Sequence, residues 1–405
     1  MDPLLTGDLT AGDVGIVLLK VVVVFVFLLV AVMLMIWFER KLISDMQNRI
    51  GPDLAGPWGL FQTFADGVKF FFKEDLKPLR ADLGVFRLAP YLSIIPAFLA
   101  FCIVPIGGNF SGDENGVVSI FGHDTFLQVA DPPVGILLFL ALSSIAVYGV
   151  MLAGWSSGSK YPLLGSVRAT AQMVSYEAAL GLSVATVVLL TGSLSTNAIV
   201  DAQAVTTSLG PFEVPSWNLW TAGVVPFVIF VLAGTAELNR PPFDLVEAEQ
   251  EIVGGFHTEY SSIRFALFFL AEFMNVITMS AIIVTLFLGG PAGPTLFGPD
   301  LMWGPIWFFA KVFCFLFMFV WFRATLPRFR YDQLMDLGWK LLIPLALGWL
   351  ILLAVIRIAR DESWNQFAVA GGIVVIGAVA VGLLQRAINT ARQEREAADG
   401  VEVFD

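Results

Sequence analysis

The chain has 405 residues, 57% of them apolar or aromatic and 14% charged, with a formal net charge of −11. Soluble domains carry about 25% charged residues, so this composition excludes an ordinary water-soluble enzyme, and the negative charge argues against a nucleic-acid partner. Two isolated cysteines, Cys102 and Cys314, and two histidines exclude an iron–sulfur cluster or a four-ligand zinc site built from this chain alone.

An apolar run of roughly 18 or more residues crosses a hydrocarbon core of about 30 Å as a helix. Such runs recur at 14–38, 86–106, 134–154, 169–192, 219–236, 262–289, 304–326, 338–357 and 367–385. They predict an all-α polytopic membrane protein with about nine transmembrane helices. The first run lacks a basic flank and a small-residue cleavage site and is read as a mature span, not a signal peptide. Lys20 within it is expected to snorkel to the interface.

Basic residues sort the loops. The connection after the first span carries Arg40, Lys41, Arg49, Lys69, Lys73, Lys77, Arg80 and Arg87, whereas 107–133, 193–218 and 290–303 carry neither Lys nor Arg. The positive-inside rule therefore predicts an outer N-terminus and, after nine crossings, a cytoplasmic C-terminus.

The first inner loop, 39–85, is polar but amphipathic. Gly51, Pro52, Gly56, Pro57 and Gly59 break the chain, and Leu60, Phe61, Phe64, Val68 and Phe71 then fall near helical spacing. That pattern predicts a helix lying in the interface plane. Spacing alone does not choose between an anchor for anionic headgroups and a Phe-lined surface that admits a lipid-like substrate.

The connection from span three to span four places Arg168, Gln172 and Ser175 or Tyr176 within helical reach of one another, and Glu177 well inside the apolar run. An intramembrane carboxylate is expensive, so Glu177 serves either a structural hydrogen bond or a proton site. The next inner loop is the most acidic: Glu237, Asp244, Glu247, Glu249, Glu251 and Glu259 stand against the single base Arg240. Glu247 and Glu251 would share a helix face and, in a partly dry site, titrate as a coupled pair. A solvated acidic loop is the bland alternative, against which Pro241, Pro242, Phe243, Ile252, Val253 and Phe256 argue for burial. His257 among them suits either a proton shuttle or a hydrogen-bonded core position. Glu272 and Asn275 lie in span six. Lys311 in span seven either pairs with an acid, reaches water or has a functional role. His123, on an outer loop, is expected at the surface.

Four ordered stretches carry a family resemblance: ERK…QNRIGPD…GLFQTFADGVKFFFKED, GWSSGSKYPLLGSVRATAQMVSYE, AELNRPPFDLVEAEQEIVGGFHTEY and RYDQLMDLGWK. Across about residues 35–345 the chain resembles the H subunit family of proton-pumping NADH:quinone oxidoreductase, respiratory complex I, whose mitochondrial counterpart is subunit 1. The resemblance implies a bacterial inner-membrane protein at the junction with the peripheral arm. Its cytoplasmic loops would help to form the chamber and tunnel for ubiquinone or menaquinone. It implies no catalytic group and no metal on this chain, with NAD chemistry, flavin and iron–sulfur clusters on partner subunits.

By the same resemblance, Arg40, Arg49, Phe61 and Phe64 belong to the quinone entrance, and Arg240, Phe243 and Asp244 to the chamber. Glu177, Glu237, Glu247, Glu249, Glu251, Glu259 and Glu272 form a proton path toward adjacent membrane-arm subunits. The expected layout is an outer segment 1–13, a family core of eight spans over 14–357 containing the loops 39–85 and 237–261, and an additional span with a tail over 358–405. The alternatives are the equivalent subunit of a membrane hydrogenase-type complex, a stand-alone ion transporter and a passive scaffold.

Overall fold

Helix α1 (Ala11–Met46) starts at a reciprocal cap: Asp13 N donates to Thr10 Oγ1 at 3.3 Å and Thr10 N donates to Asp13 Oδ2 at 2.8 Å. At about 1.5 Å per residue, its 36 residues outrun a ~30 Å core. The helix therefore passes the predicted boundary at 38 and carries Glu39 and Arg40 on its last turns.

The structure is a computed structural model that describes residues 2–5, 10–110, 115–209, 212–245, 252–294, 300–363 and 386. It divides into two units, Met1–Leu347 and Gly348–Asp405.

After α1, Gly56 and Gly59 turn the chain at φ 76° and 74°. A Cβ on Gly59 would lie 2.3 Å from the Pro52 carbonyl carbon, so this turn needs glycine. The predicted amphipathic helix follows as α2 (Gln62–Phe72). Its end is pinned far along the sequence: Ser262 Oγ bonds the carbonyl oxygens of Phe70 and Lys73 at 2.9 and 2.8 Å, and Leu76 N donates to Ser261 Oγ at 2.8 Å.

Helices α3 (Leu83–Phe101), α4 (Gly135–Ser156) and α5 (Lys160–Thr191) pack in sequence, α3 on α4 and α4 on α5. Small residues set the approach. Gly149 and Gly154 have no room for a side chain beside Ser93 and Ser166. Helix α5 begins before the predicted start at 169, because the polar stretch from Lys160 is itself helical and Pro162 falls in the first turn, where it costs no hydrogen bond.

At the end of the bundle opposite the basic loops, β1 (Val117–Ile120) pairs antiparallel with β2 (His123–Phe126), Val117 facing Phe126 and Ile120 facing His123. A second hairpin, β3 (Thr206–Leu209) with β4 (Phe212–Pro215), follows α6 (Thr196–Ala204). The sequence pattern predicted neither hairpin.

The predicted span 219–236 is divided. Gly223, at φ 90°, separates the single turn α7 (Asn218–Thr221) from α8 (Val224–Glu237). Fourteen residues of α8 cover about 21 Å, short of the lipid core. The backbone after it turns back into the bundle, where Leu238, Arg240, Phe243 and Leu245 are buried.

Helix α9 (Ser262–Phe287) is the most enclosed span, with 72% of its most apolar stretch buried, and it packs along α3. Helix α10 (Asp300–Thr325) precedes α11 (Tyr331–Asp336), a π-helical turn Leu337–Leu342 and α12 (Ile343–Asp361), the last three forming one continuous apolar helix. Tyr176 OH donates to Leu334 O at 2.8 Å and Trp339 Nε1 donates to Ser175 Oγ at 3.0 Å, so α5 holds both α11 and the π turn. Among the described residues, seven long apolar helices and the shorter α8 fall on the first eight predicted spans, and the fold is an all-α polytopic membrane protein. The predicted ninth span, 367–385, lies outside the described residues.

Candidate functional site

Two glutamates are held by neighbouring serines. On α4, Ser143 Oγ donates to Glu237 Oε1 and Ser144 Oγ donates to Glu177 Oε1. Glu177 comes from α5 and Glu237 from the end of α8, so one dipeptide brings together acids 60 positions apart in the chain. The second oxygen of Glu237 is buried and finds no hydrogen-bond partner among the described residues. It faces a cavity of about 60 Å³ whose walls include Asn239, His257, Glu272 and Asn275.

Next to that cavity is a buried ion cluster. Arg240 is 1% exposed, and its Nη1 lies 2.7 Å from Glu39 Oε2 while Nη2 lies 3.4 Å from Glu272 Oε1. Its guanidinium sits 4.6 Å from the Phe273 ring centre. Arg323 Nη1 takes the other oxygen of Glu39. Gln172 Nε2 fixes the loop by donating to Ala236 O at 2.7 Å and Phe243 O at 2.9 Å. Phe243 fills the space between Tyr176 and Phe329, with ring centres 5.5 and 5.6 Å away, and Arg328 Nη2 pairs with Asp244 Oδ2 at 3.1 Å.

A second, larger pocket of about 460 Å³ lies between α1, α2 and α9. Its wall is mainly apolar, with Ile36, Phe64, Phe70, Phe71 and Phe269 prominent, and Arg40, Asp66 and Lys69 supply the charges. Arg40 Nη1 binds Asp66 Oδ2 at 2.7 Å. Burial pushes the Asp66 carboxyl up, but the hydrogen bond and charge of Arg40 outweigh it and hold the group below the usual carboxylate range. Glu39 and Arg40 are consecutive, so one turn of α1 presents Arg40 to this pocket and Glu39 to the buried ion cluster.

His257 occupies the 3₁₀ turn Gly255–His257, which docks on α5 where a Cβ on Gly165 would lie 2.8 Å from Gly255 Cα. Its ring packs against Phe256, Phe265 and Phe268, and burial lowers the imidazole pKa to about 4. Tyr260 stacks on Phe86 with ring centres 4.1 Å apart, and burial raises its phenol to about 12.

A family model described as NADH dehydrogenase matches residues 19–354. The H subunit of NADH-quinone oxidoreductase from Frankia alni is 48% identical, the match covering 98% of this chain and 84% of that protein. The proteins of the same name from Cutibacterium acnes and Streptomyces avermitilis are 45% and 46% identical, covering 95% and 89% of this chain and 86% and 78% of theirs. The chain belongs to this H subunit family.

Of the residues assigned from the family resemblance, the structure gathers Glu177, Glu237, Glu272 and Arg240 around one interior region. Arg40 and Phe64 line the apolar pocket, while Phe61, which is exposed and packed beside Gly56, and the exposed Arg49 do not line it. Glu259 is half-buried and is not in the cavity wall. Glu247, Glu249 and Glu251 lie outside the described residues.

Sequence reasoning missed Glu39, Arg323, Arg328, Ser143 and Ser144 as members of the site. The adjacent hydroxyls in the otherwise apolar LALSSIAVY were the available signal. Two lysines on the spans find defined partners. Lys20 Nζ lies 2.8 Å from Asp2 Oδ2 and 2.6 Å from Thr125 Oγ1, partners on the N-terminal segment and on β2 at the outer end of the bundle. Lys311 pairs with no acid among the described residues; its Nζ donates to the carbonyl oxygens of Leu288, Gly290 and Ala292 at 2.8 to 2.9 Å, closing the end of α9.

Proposed function

We propose that this chain is a membrane subunit of a proton-translocating NADH:quinone oxidoreductase, that the pocket between α1, α2 and α9 passes quinone from the bilayer, and that Arg240, Phe243 and Asp244 border the chamber beyond it. The observation that carries this is the turn of α1 bearing Glu39 and Arg40. It puts an apolar pocket of about 460 Å³, within the range of small-molecule sites, and the buried ions on adjacent residues of one helix.

Reduction of quinone to quinol takes up two electrons and two protons. The electrons come from partner subunits carrying flavin and iron–sulfur clusters, since Cys102 just after α3 and Cys314 on α10 are the chain's two cysteines and offer no cluster ligand set. Charge arriving beside Arg40 and Asp66 biases the Glu39–Arg240–Glu272 cluster through a medium of low dielectric. Proton occupancy then changes along Glu237 and Glu177, with Glu247, Glu249, Glu251 and Glu259 on the loop side, and passes to neighbouring membrane-arm subunits. The distribution of basic loops supports a quinone side at the cytoplasmic face of the inner membrane, with the N-terminus outside.

A tagged chain recovered from its own membrane in mild detergent tests this assignment. Co-purification of other subunits together with NADH-driven quinone reduction is the expected result; recovery of the chain as a lone homo-oligomer would sink it.

A further inference from the structure

Helix α9 ends in a knot of polar groups, at the end of the bundle opposite the basic loops. An α-helix leaves its last carbonyl oxygens without partners of its own. Here side chains from three other elements take them: Gln203 Nε2 donates to Thr285 O at 2.9 Å, Asn218 Nδ2 to Leu286 O at 2.8 Å and Lys311 Nζ to Leu288 O at 2.8 Å. Gly289 and Gly290, at φ 69° and 51°, then fold the chain back. The carbonyl oxygens of Gly290 and Ala292 thereby meet the same ammonium, both at 2.9 Å.

Capping a helix does not call for a charge. Gln203 and Asn218, 1% and 3% exposed, do it with neutral amides. Lys311 differs. An ammonium has three N–H donors, whereas a neutral amine has two and would leave one of the carbonyl oxygens of Leu288, Gly290 and Ala292 empty. The donor count fits the charged form. The Trp217 ring, 5.1 Å from Nζ, suits a cation as well, and no carboxylate pairs with Lys311 among the described residues. Behind the charge, the fully buried Phe287 packs on Phe227 and Phe230 with ring centres 5.5 Å away, so an aromatic layer backs it.

Carbonyl dipoles hold a cation in place without neutralising it. A fixed positive charge in surroundings of low dielectric repels other cations, and a positive barrier of this kind is one way in which membrane proteins exclude protons. We propose that Lys311 is such a barrier: its tethered ammonium fills the carbonyl cage at the end of α9 and holds hydronium and metal cations off the bundle, so that an ion gradient does not leak through it. This function is separate from the quinone pocket and from the proton role proposed for the carboxylates, and it holds whether or not either stands.

One peptide group links the barrier to α6. The C=O between Leu288 and Gly289 accepts from Lys311, and the N–H of the same peptide donates to Gln203 Oε1 at 3.0 Å. A carboxylate at position 203 would therefore stand one peptide group from the ammonium and cancel its field.

Passive proton entry into proteoliposomes carrying the whole complex, with neither NADH nor quinone added, measures the barrier. A potassium diffusion potential set by valinomycin drives entry and a pH-sensitive dye in the lumen reads it. Lys311→Gln keeps neutral donors for the carbonyls and removes the charge; Gln203→Glu keeps the ammonium and offsets it. Each should raise proton entry per complex about tenfold or more, while Lys311→Arg should stay within about twofold of the unaltered complex. A purely structural cap would lower the melting temperature and leave the leak alone. An unchanged leak in either charge-cancelling variant, or a Lys311→Arg complex as leaky as Lys311→Gln, would overturn the proposal.

Discussion

Arg240 Nη1 and Glu39 Oε2 lie 2.7 Å apart across 201 residues of chain, with both side chains almost sealed from solvent. Removing one partner of such a pair strands the other and typically costs about 3–5 kcal/mol. Glu39→Gln should lower the thermal dissociation midpoint of the purified complex, and Arg240→Gln likewise. The double variant should cost clearly less than the two singles together, because each single already breaks the same contact. Additive losses would mean that the two residues act separately.

Asp66 is held ionised by Arg40 against the opposing effect of burial. Its folded pKa lies below the unfolded value, so its contribution is fully present above about pH 4 and is lost as pH falls through the lower folded value. The Asp66 charge is therefore constant across neutral pH. Asp66→Asn should raise the KM for long-tailed quinone by about threefold with little change in kcat, as expected for a contact that acts on binding. The rise should be the same at pH 6 and pH 8, as steady-state kinetics on the variant would check.

His257 has the opposite bookkeeping. Burial among three phenylalanine rings depresses its pKa to about 4, so between that value and about 6.5 the unfolded chain binds a proton that the native chain does not. Stability should level off above pH 6.5 and fall below it by up to about 1.4 kcal/mol per pH unit. Thermal melts of the complex from pH 5 to 8 should show this slope, and His257→Asn should flatten it.

Lys311 donates to three carbonyl oxygens at the end of α9, each bond charge-assisted. Lys311→Met keeps most of the bulk and leaves those carbonyls short of a donor, at a cost of about 2 kcal/mol or more. The melting temperature of the purified complex should drop while the KM for quinone stays unchanged, which separates a helix-end role from one in the pocket.

The membrane spans and the amphipathic helix were legible because each rests on local pattern: apolar run length for the spans, and i, i+3/i+4 spacing of Phe64, Val68 and Phe71 for α2. Acids such as Glu177 and Glu237 stood out by their depth in apolar surroundings. Their partners did not. Glu39 looks like part of a charged span end beside Arg40 until folding brings Arg240 and Arg323 to it from remote segments. The partners of Lys20 were equally hidden, because Asp2 and Thr125 reach it only through the N-terminal segment and the outer hairpin. The split of α7 from α8 turns on one positive φ at Gly223, which an apolar run conceals.

The coupling role proposed for the carboxylates is tested most directly by proton pumping in proteoliposomes containing the whole complex with Glu237→Gln, measured as protons moved per NADH oxidised. Glutamine keeps the Ser143 contact but cannot release a proton, so the ratio should fall well below that of the unaltered complex while the enzyme remains assembled and still reduces quinone. An unchanged ratio at an unchanged rate of quinone reduction would contradict it.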